Sequence, residues 1–116
     1  MQYEYFYGAQ AEQFSFYRIP KALFTEPNFR ELSTDAKVLY GILLDRMSLS
    51  LKNQWLDAQN KVYIIFTVEE IMDALNCANQ KATRLMVELE KQAGLIERKR
   101  QGLGRPNLIY VKNFAA

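Results

Sequence analysis

The chain contains no histidine and one cysteine, Cys77. Histidine-based catalytic triads and histidine-ligated metal sites are therefore excluded. One cysteine cannot form an internal disulfide or a cysteine-rich zinc site, which indicates a reducing cytoplasm. No apolar run approaches the ~18 residues that a membrane-spanning helix needs. The N-terminal residues also lack the apolar block of a secretory signal. We expect a cytoplasmic protein with no membrane partner.

Features that would indicate an enzyme are equally scarce. Gly102-Leu103-Gly104 is a bare GxG without the rest of a phosphate-binding loop. Glu69, Glu70 and Asp73 offer carboxylates to a hard cation, but acids in the first turn of a helix more commonly complement its dipole. We expect no enzymatic activity, no cofactor and no metal site.

The charge is unevenly distributed along the 116 residues, a length that suits one domain. The net charge of the whole chain is +2, but residues 1–78 sum to −3 and residues 79–116 to +5. A basic segment concentrated in one third of a chain is typical of a protein that binds a polyanion. The alternative is a solvated surface that happens to be basic.

Residue periodicity and capping signals predict the elements. Ser33 is a suitable N-cap for a helix that ends near Leu51 and carries two apolar stripes, so we expect it to be buried on two sides, in the core or against a second subunit. The first stripe consists of Ala36, Leu39, Tyr40, Leu43, Met47 and Leu51, and the second of Val38, Ile42 and Leu49. Residues 62–66 read as a short strand, and Thr67 and Glu70 as a capping box that opens a helix over 68–75.

The C-terminal half predicts a turn at 76–78, a helix over 79–92 that Gly94 ends, and strands at 95–100 and 108–112. A glycine- and proline-containing loop, 101–107, joins the two strands. This order of helix, strand, helix, turn, helix and hairpin predicts an α+β, mainly α fold of the winged helix-turn-helix type, with a C-terminal β-hairpin wing. We assign residues 14–116 to that domain and residues 1–13 to an aromatic N-terminal arm, which is either loose or docked on a partner.

The winged-helix interpretation selects a set of candidate DNA-binding residues. In this fold the second helix of the pair enters the major groove, where glutamine pairs with adenine and arginine or lysine with guanine. The predicted contacts are Asn79, Gln80, Lys81, Thr83, Arg84, Lys91, Arg98, Arg100 and Arg105. Lys91 lies further along the helix and suits phosphate, and Glu88 is expected to orient Arg84. The alternatives are a solvated helix face and a sheet edge protected by charge.

Four motifs carry a family resemblance. They are Phe16-Tyr17-Arg18-Ile19-Pro20-Lys21-Ala22-Leu23-Phe24 followed by Leu32-Ser33, Leu43-Leu44-Asp45-Arg46-Met47-Ser48-Leu49-Ser50, Val62-Tyr63-Ile64-Ile65-Phe66, and Gly102-Leu103-Gly104-Arg105-Pro106-Asn107. Together, over residues 14–114, they resemble the N-terminal domain of the RepA_N family of plasmid replication initiators from Gram-positive bacteria. Arg105 stands where the family often has lysine. Gln54 and Asn60 stand where the resemblance leads us to expect glycine.

The resemblance implies properties that composition does not show. The target would be double-stranded DNA in the repeats of a plasmid or mobile-element replication origin, bound to initiate replication. The domain would act as a homodimer. A separate C-terminal domain, absent from this chain, would recruit host replication proteins such as the primase.

Two other functions remain open from the sequence. A transcriptional repressor of the winged-helix type would have the same fold and the same basic surface. A winged-helix protein-interaction module would use that surface on a protein instead of DNA.

Overall fold

The central element is a long helix that begins where the sequence predicts. The computed structural model describes residues 2–115, and in it helix α2, Thr34–Lys52, follows a four-residue helix α1, Ala22–Thr25. The Ser33 hydroxyl accepts a hydrogen bond from the Ala36 amide at 3.1 Å, which confirms the predicted N-cap. Leu39, Tyr40 and Leu43 on α2 are buried, so this helix forms the centre of the core.

The N-terminal segment crosses α2 at Gly41. A Cβ atom at that position would lie 2.9 Å from both the Arg18 carbonyl oxygen and the Ile19 Cγ1 atom. Real Cβ atoms avoid so close an approach to backbone, so only glycine lets the strand-like segment 16–19 lie directly on the helix. The packing of this segment explains why α2 has a glycine in the middle of its buried face.

The two apolar stripes of α2 are only partly buried. Ile42, in the second stripe, is buried, but Leu49 and Leu51 are exposed. Within this chain the ends of both stripes are therefore uncovered, and the predicted contact of this helix with a second subunit stays a prediction. Leu49 lines a shallow cavity together with Tyr17, Phe66 and Ala74 of the following helix, and it stays partly open to solvent there.

The predicted strand at residues 62–66 is reduced to isolated bridges. Ile64 pairs with Ile109 through two backbone hydrogen bonds of 2.8 and 2.9 Å, and Val62 pairs with Leu56. The prediction of a continuous strand was therefore wrong, although the buried side chain of Ile64 explains the β-type residues. The segment therefore joins the C-terminal hairpin through a single bridging residue, Ile64.

The loop between α2 and this segment contains two backbone positions with positive φ. They are Gln54, at φ 58°, and Asn60, at φ 67°. These are the two positions at which the family resemblance leads us to expect glycine, the residue that adopts this conformation without steric cost. The loop thus has the positive φ angles that glycine favours, although both positions carry a side chain.

Two short helices and a tight turn form the helix-turn-helix. Helix α3, Val68–Leu75, begins with the predicted capping box: Thr67 accepts from the Glu70 amide, and Glu70 accepts from the Thr67 amide. Asn76 ends α3 in the left-handed conformation, as predicted. Helix α4, Asn79–Val87, then packs Ala82, Leu85 and Met86 into the core.

Helix α4 does not continue to residue 92 as an α-helix. Residues Glu88–Gln92 form a π-helical turn, in which the Ala93 amide donates to the Glu88 carbonyl. Gly94, at φ 65°, ends the turn, and the Leu95 amide donates to the Leu89 carbonyl at 2.8 Å. The predicted end at Gly94 is confirmed, but the last five residues are wound more widely than predicted.

A two-stranded hairpin completes the domain. Strand β1, Ile96–Lys99, pairs antiparallel with β2, Leu108–Val111, in a register that places Arg98 opposite Ile109. Ile96 and Ile109 are buried against the helices, so one face of the hairpin closes the core. The fold is mainly helical with one small antiparallel sheet, which confirms the predicted winged helix-turn-helix class.

Candidate nucleic-acid interface

The first turns of α4 present polar side chains to solvent. Asn79, Gln80, Thr83 and Arg84 are exposed. The Thr83 hydroxyl donates to the Asn79 side-chain oxygen at 3.4 Å. Arg84 makes no hydrogen bond or ion pair with any residue that the structure describes, so its guanidinium is available to an external acceptor. All four residues are among the DNA contacts predicted from the sequence, and all four face solvent.

Lys81 lies on the same surface but has an internal partner. Its Nζ atom is 2.7 Å from an Asp35 carboxylate oxygen, with side-chain exposures of 42% for the lysine and 51% for the aspartate. A solvent-exposed ion pair contributes only about 0–1 kcal/mol, so a phosphate or base can compete for this lysine. Asp35, in the first turn of α2, thus connects the central helix to the exposed face of α4.

Glu88 is not where the sequence prediction placed it. The prediction that Glu88 orients Arg84 on the solvent-facing side of the helix is wrong. Glu88 is only 7% exposed, and its carboxylate points at the start of α2. It accepts hydrogen bonds from the Ser33 amide and the Ser33 hydroxyl, each at 2.9 Å. Periodicity could not reveal a partner 55 positions away. Lys91, on the same π-helical turn, is exposed as predicted.

The wing loop, residues 101–107, contains two glycines with positive φ. Gly102 and Gly104 adopt φ values of 118° and 76°, which other residues rarely reach. The Gln101 side chain donates to the Pro106 carbonyl at 2.8 Å and closes the loop. Leu103 at the tip is fully exposed. Sequence reasoning did not select Leu103, although its two flanking glycines signal a tip that projects from the fold.

Two of the three predicted wing arginines are free of internal partners. Arg100 and Arg105 are exposed, and neither forms a side-chain hydrogen bond or ion pair within residues 2–115. Arg98 differs, because its guanidinium lies against Glu90, with Nη2 at 2.8 Å and Nε at 3.2 Å from one carboxylate oxygen. The structure thus separates Arg98 from the other two arginines.

A crevice of about 240 Å³ lies between the helix-turn-helix and the wing. Thr67 and Val68 from the start of α3 and Met86 from α4 line one side. Arg98 and Arg105 line the other side, together with Pro106. The wing therefore lies beside the helix pair and not on the far side of the domain, so α4 and the wing loop can meet one extended ligand.

Within residues 2–115 no three histidine, cysteine, aspartate or glutamate side chains group as metal ligands would. Glu70, one of the candidate cation ligands, is instead engaged by Arg46 at 2.8 Å. None of the helices in this region combines the length and the apolar character that crossing a bilayer requires.

Two carboxyl groups have a pKa that hydrogen bonds lower in the folded state, so the stability of the fold depends on pH. The Arg98 guanidinium beside Glu90 holds the pKa of that carboxyl below its ordinary value. Backbone hydrogen bonds, first from Lys61, do the same to the pKa of Asp57. A group whose pKa is lowered by folding stabilises the fold above its unfolded pKa, and the contribution is lost as the pH falls through the folded pKa.

We therefore expect the free energy of unfolding to fall as the pH is lowered from about 7 to about 3. The Glu90→Gln variant should lose less over the same interval, because the amide does not titrate. Urea unfolding at a series of pH values measures this, with the exposed Glu31→Gln as the matched control. Parallel curves for wild type and Glu90→Gln would contradict the expectation.

Comparisons with known proteins find relatives of similar sequence and similar structure. The chain is 32% identical over 92 residues to the "41 kDa protein" of Lactobacillus helveticus, and it spans about a quarter (26%) of that relative's length. Among solved structures, "N-Terminal domain of DNA binding protein" matches with a TM-score of 0.78 and 39% identity, covering 97% of this chain and 85% of that one.

Two further structures match at similar levels. "Structure of Rep-DNA complex" has a TM-score of 0.78 and 39% identity, over 95% of this chain and 84% of that one. "Structure of MDR initiator" has a TM-score of 0.75 and 40% identity, over 95% and 86%. The model of the family described as "Replication initiator protein A (RepA) N-terminus" matches residues 15–116. This chain therefore belongs to RepA_N, the family of replication initiator protein A N-terminal domains.

Proposed function

We propose that this domain binds double-stranded DNA sequence-specifically at a replication origin and takes part in initiating replication there. The observation that carries the proposal is that α4 and the wing loop each present an exposed arginine, Arg84 and Arg105, with no internal partner for its side chain in residues 2–115. Membership of the initiator family and the similarity to a solved Rep-DNA complex support it.

The proposed mechanism divides the work between the two elements. Gln80 and Arg84, in the first turns of α4, would contact base edges in the major groove, since both side chains can make paired hydrogen bonds there. Arg100 and Arg105 on the wing would contact the sugar-phosphate backbone, which contributes affinity and orientation but little sequence information. Lys81, released from Asp35, would supply a further contact to a base or phosphate.

The remaining parts of the proposal concern the whole protein. We propose plasmid or mobile-element origin repeats as the target, a homodimer as the active form, and recruitment of host replication proteins by regions outside this chain. Exposed aromatic residues of the N-terminal arm and exposed Leu49 support a second subunit, and the mass in solution tests it. We also propose a cytoplasmic binding protein without catalytic activity.

The proposal is tested by titrating duplex DNA over a salt series. Each phosphate contact should add about 0.9 to the slope of log affinity against log salt, so we expect a slope of several units. No binding to any duplex at low salt would contradict the proposal and favour the protein-interaction module. Footprinting on the source replicon separates the two DNA-binding functions, because a repressor would protect promoters and an initiator an array of origin repeats.

A further inference from the structure

One ion pair, Glu90–Arg98, makes more hydrogen bonds and is less exposed than the other ion pairs of the described chain. Glu90 accepts three hydrogen bonds from Arg98, at 2.8 Å from Nη2, 3.2 Å from Nε and 3.2 Å from the backbone amide. The side chains are 16% and 25% exposed, whereas the Lys112–Glu97 pair on the same hairpin spans 3.8 Å and is largely exposed. The Glu90–Arg98 pair is thus a shielded contact with defined geometry.

The pair connects the two elements that the proposed function uses. Glu90 lies on the π-helical turn that follows α4, and Arg98 lies in strand β1, where its backbone faces Ile109 of β2. Because Glu90 binds both the amide and the guanidinium of Arg98, it fixes the strand as well as the side chain. The end of α4 and the first strand of the wing are therefore joined at one point.

This geometry makes Arg98 a poor ligand for phosphate. Two of its guanidinium nitrogens already donate to Glu90, and moving them to a phosphate would leave a shielded carboxylate without its partner. Separating such a pair costs far more than separating an exposed one. Arg100 and Arg105, which have no internal partner in the described chain, meet a phosphate without that cost.

We propose that Glu90 and Arg98 are positioning residues that hold the wing at a fixed angle to α4, and that Arg98 does not itself contact DNA. The inference rests on the proposed function. A wing held in place before binding lets α4 and the wing meet the duplex together, without the entropy cost of ordering the hairpin on the DNA.

The test uses Glu90→Gln, for which an electrostatic effect and a positioning effect predict opposite changes in DNA affinity. Glu90→Gln removes a negative charge beside a basic surface, which by electrostatics alone should strengthen duplex binding. If Glu90 positions the wing, the same variant binds the selected duplex about tenfold more weakly at constant salt, because ordering the wing then costs entropy. Glu97→Gln, on the same hairpin, is the matched control and should bind as wild type does or more tightly.

A double-mutant cycle completes the test, with fluorescence anisotropy measured well below the melting temperature of each variant. Arg98→Ala should weaken binding as Glu90→Gln does, and adding it to Glu90→Gln should cost little more, since both act through one contact. Tighter binding by Glu90→Gln, or an undiminished effect of Arg98→Ala in the Glu90→Gln background, overturns the proposal. Failure of wild type to bind any duplex would instead refute the proposed function, and this inference with it.

Discussion

Replacement of Glu88 by alanine is expected to lower the free energy of unfolding by about 2–4 kcal/mol, because it removes two hydrogen bonds to a buried carboxylate. The Ser33 amide and hydroxyl would both lose their acceptor. Ser33 also caps α2 through Ala36, so the start of the central helix is affected together with the end of α4. Urea unfolding of the purified domain measures the loss.

Two further variants distinguish this link from a general effect of substitution. Lys91→Ala changes an exposed side chain of the same π-helical turn and should alter stability by less than about 0.5 kcal/mol. Ser33→Gly in the Glu88→Ala background should cost less than in wild type, since part of its effect acts through Glu88. An unfolding free energy for Glu88→Ala equal to that of Lys91→Ala would contradict the assignment.

Arg84→Ala should weaken binding to the selected duplex by about 1–3 kcal/mol, roughly fivefold to 150-fold, while leaving stability unchanged. The guanidinium has no partner in residues 2–115, so its removal takes nothing from the fold. A duplex selected from a random library and its scrambled counterpart are compared by anisotropy. The loss should be larger on the selected duplex, because a base contact carries sequence information and a phosphate contact does not.

The matched control for Arg84 is Lys52→Ala, which removes an exposed cation at the far end of α2. It should affect both duplexes little. Equal weakening of the selected and scrambled duplexes by Arg84→Ala would assign this residue to phosphate. Unchanged binding to both would remove it from the interface and transfer base reading to Gln80 or Lys81.

Local signals in the sequence were enough to predict most of the helical elements. The Thr67–Glu70 capping box, the left-handed Asn76 and the terminating Gly94 each involve residues within a few positions of one another, and all three are present. Exposed Gln80 and Arg84 followed from helical periodicity for the same reason. Caps and turns that depend on neighbouring residues were therefore predictable, whereas the π-helical winding of Glu88–Gln92, also a local feature, was not predicted.

The other errors occur where distant segments meet. Glu88 was assigned to solvent because its donor, Ser33, belongs to another helix and no local pattern links the two. Residues 62–66 have strand-forming side chains, but they form only isolated bridges, Val62 with Leu56 and Ile64 with Ile109. Arg98 could not be separated from Arg100 by alternation alone, since what distinguishes them is Glu90 on the preceding turn.

The π-helical turn at Glu88–Gln92 affects the direction in which the wing leaves α4. A π-helix closes each hydrogen-bonded ring with one residue more than an α-helix, as the bond from Ala93 to Glu88 shows. Each residue of an α-helix turns the chain by about 100°, and each residue of the wider π-helical turn by less. The number and the winding of the residues between Val87 and Gly94 therefore set the direction in which the hairpin leaves. An insertion or deletion within Glu88–Gln92 would therefore turn the whole wing relative to α4, whereas loss of the Glu90–Arg98 contact leaves the path of the chain unchanged and only loosens the wing.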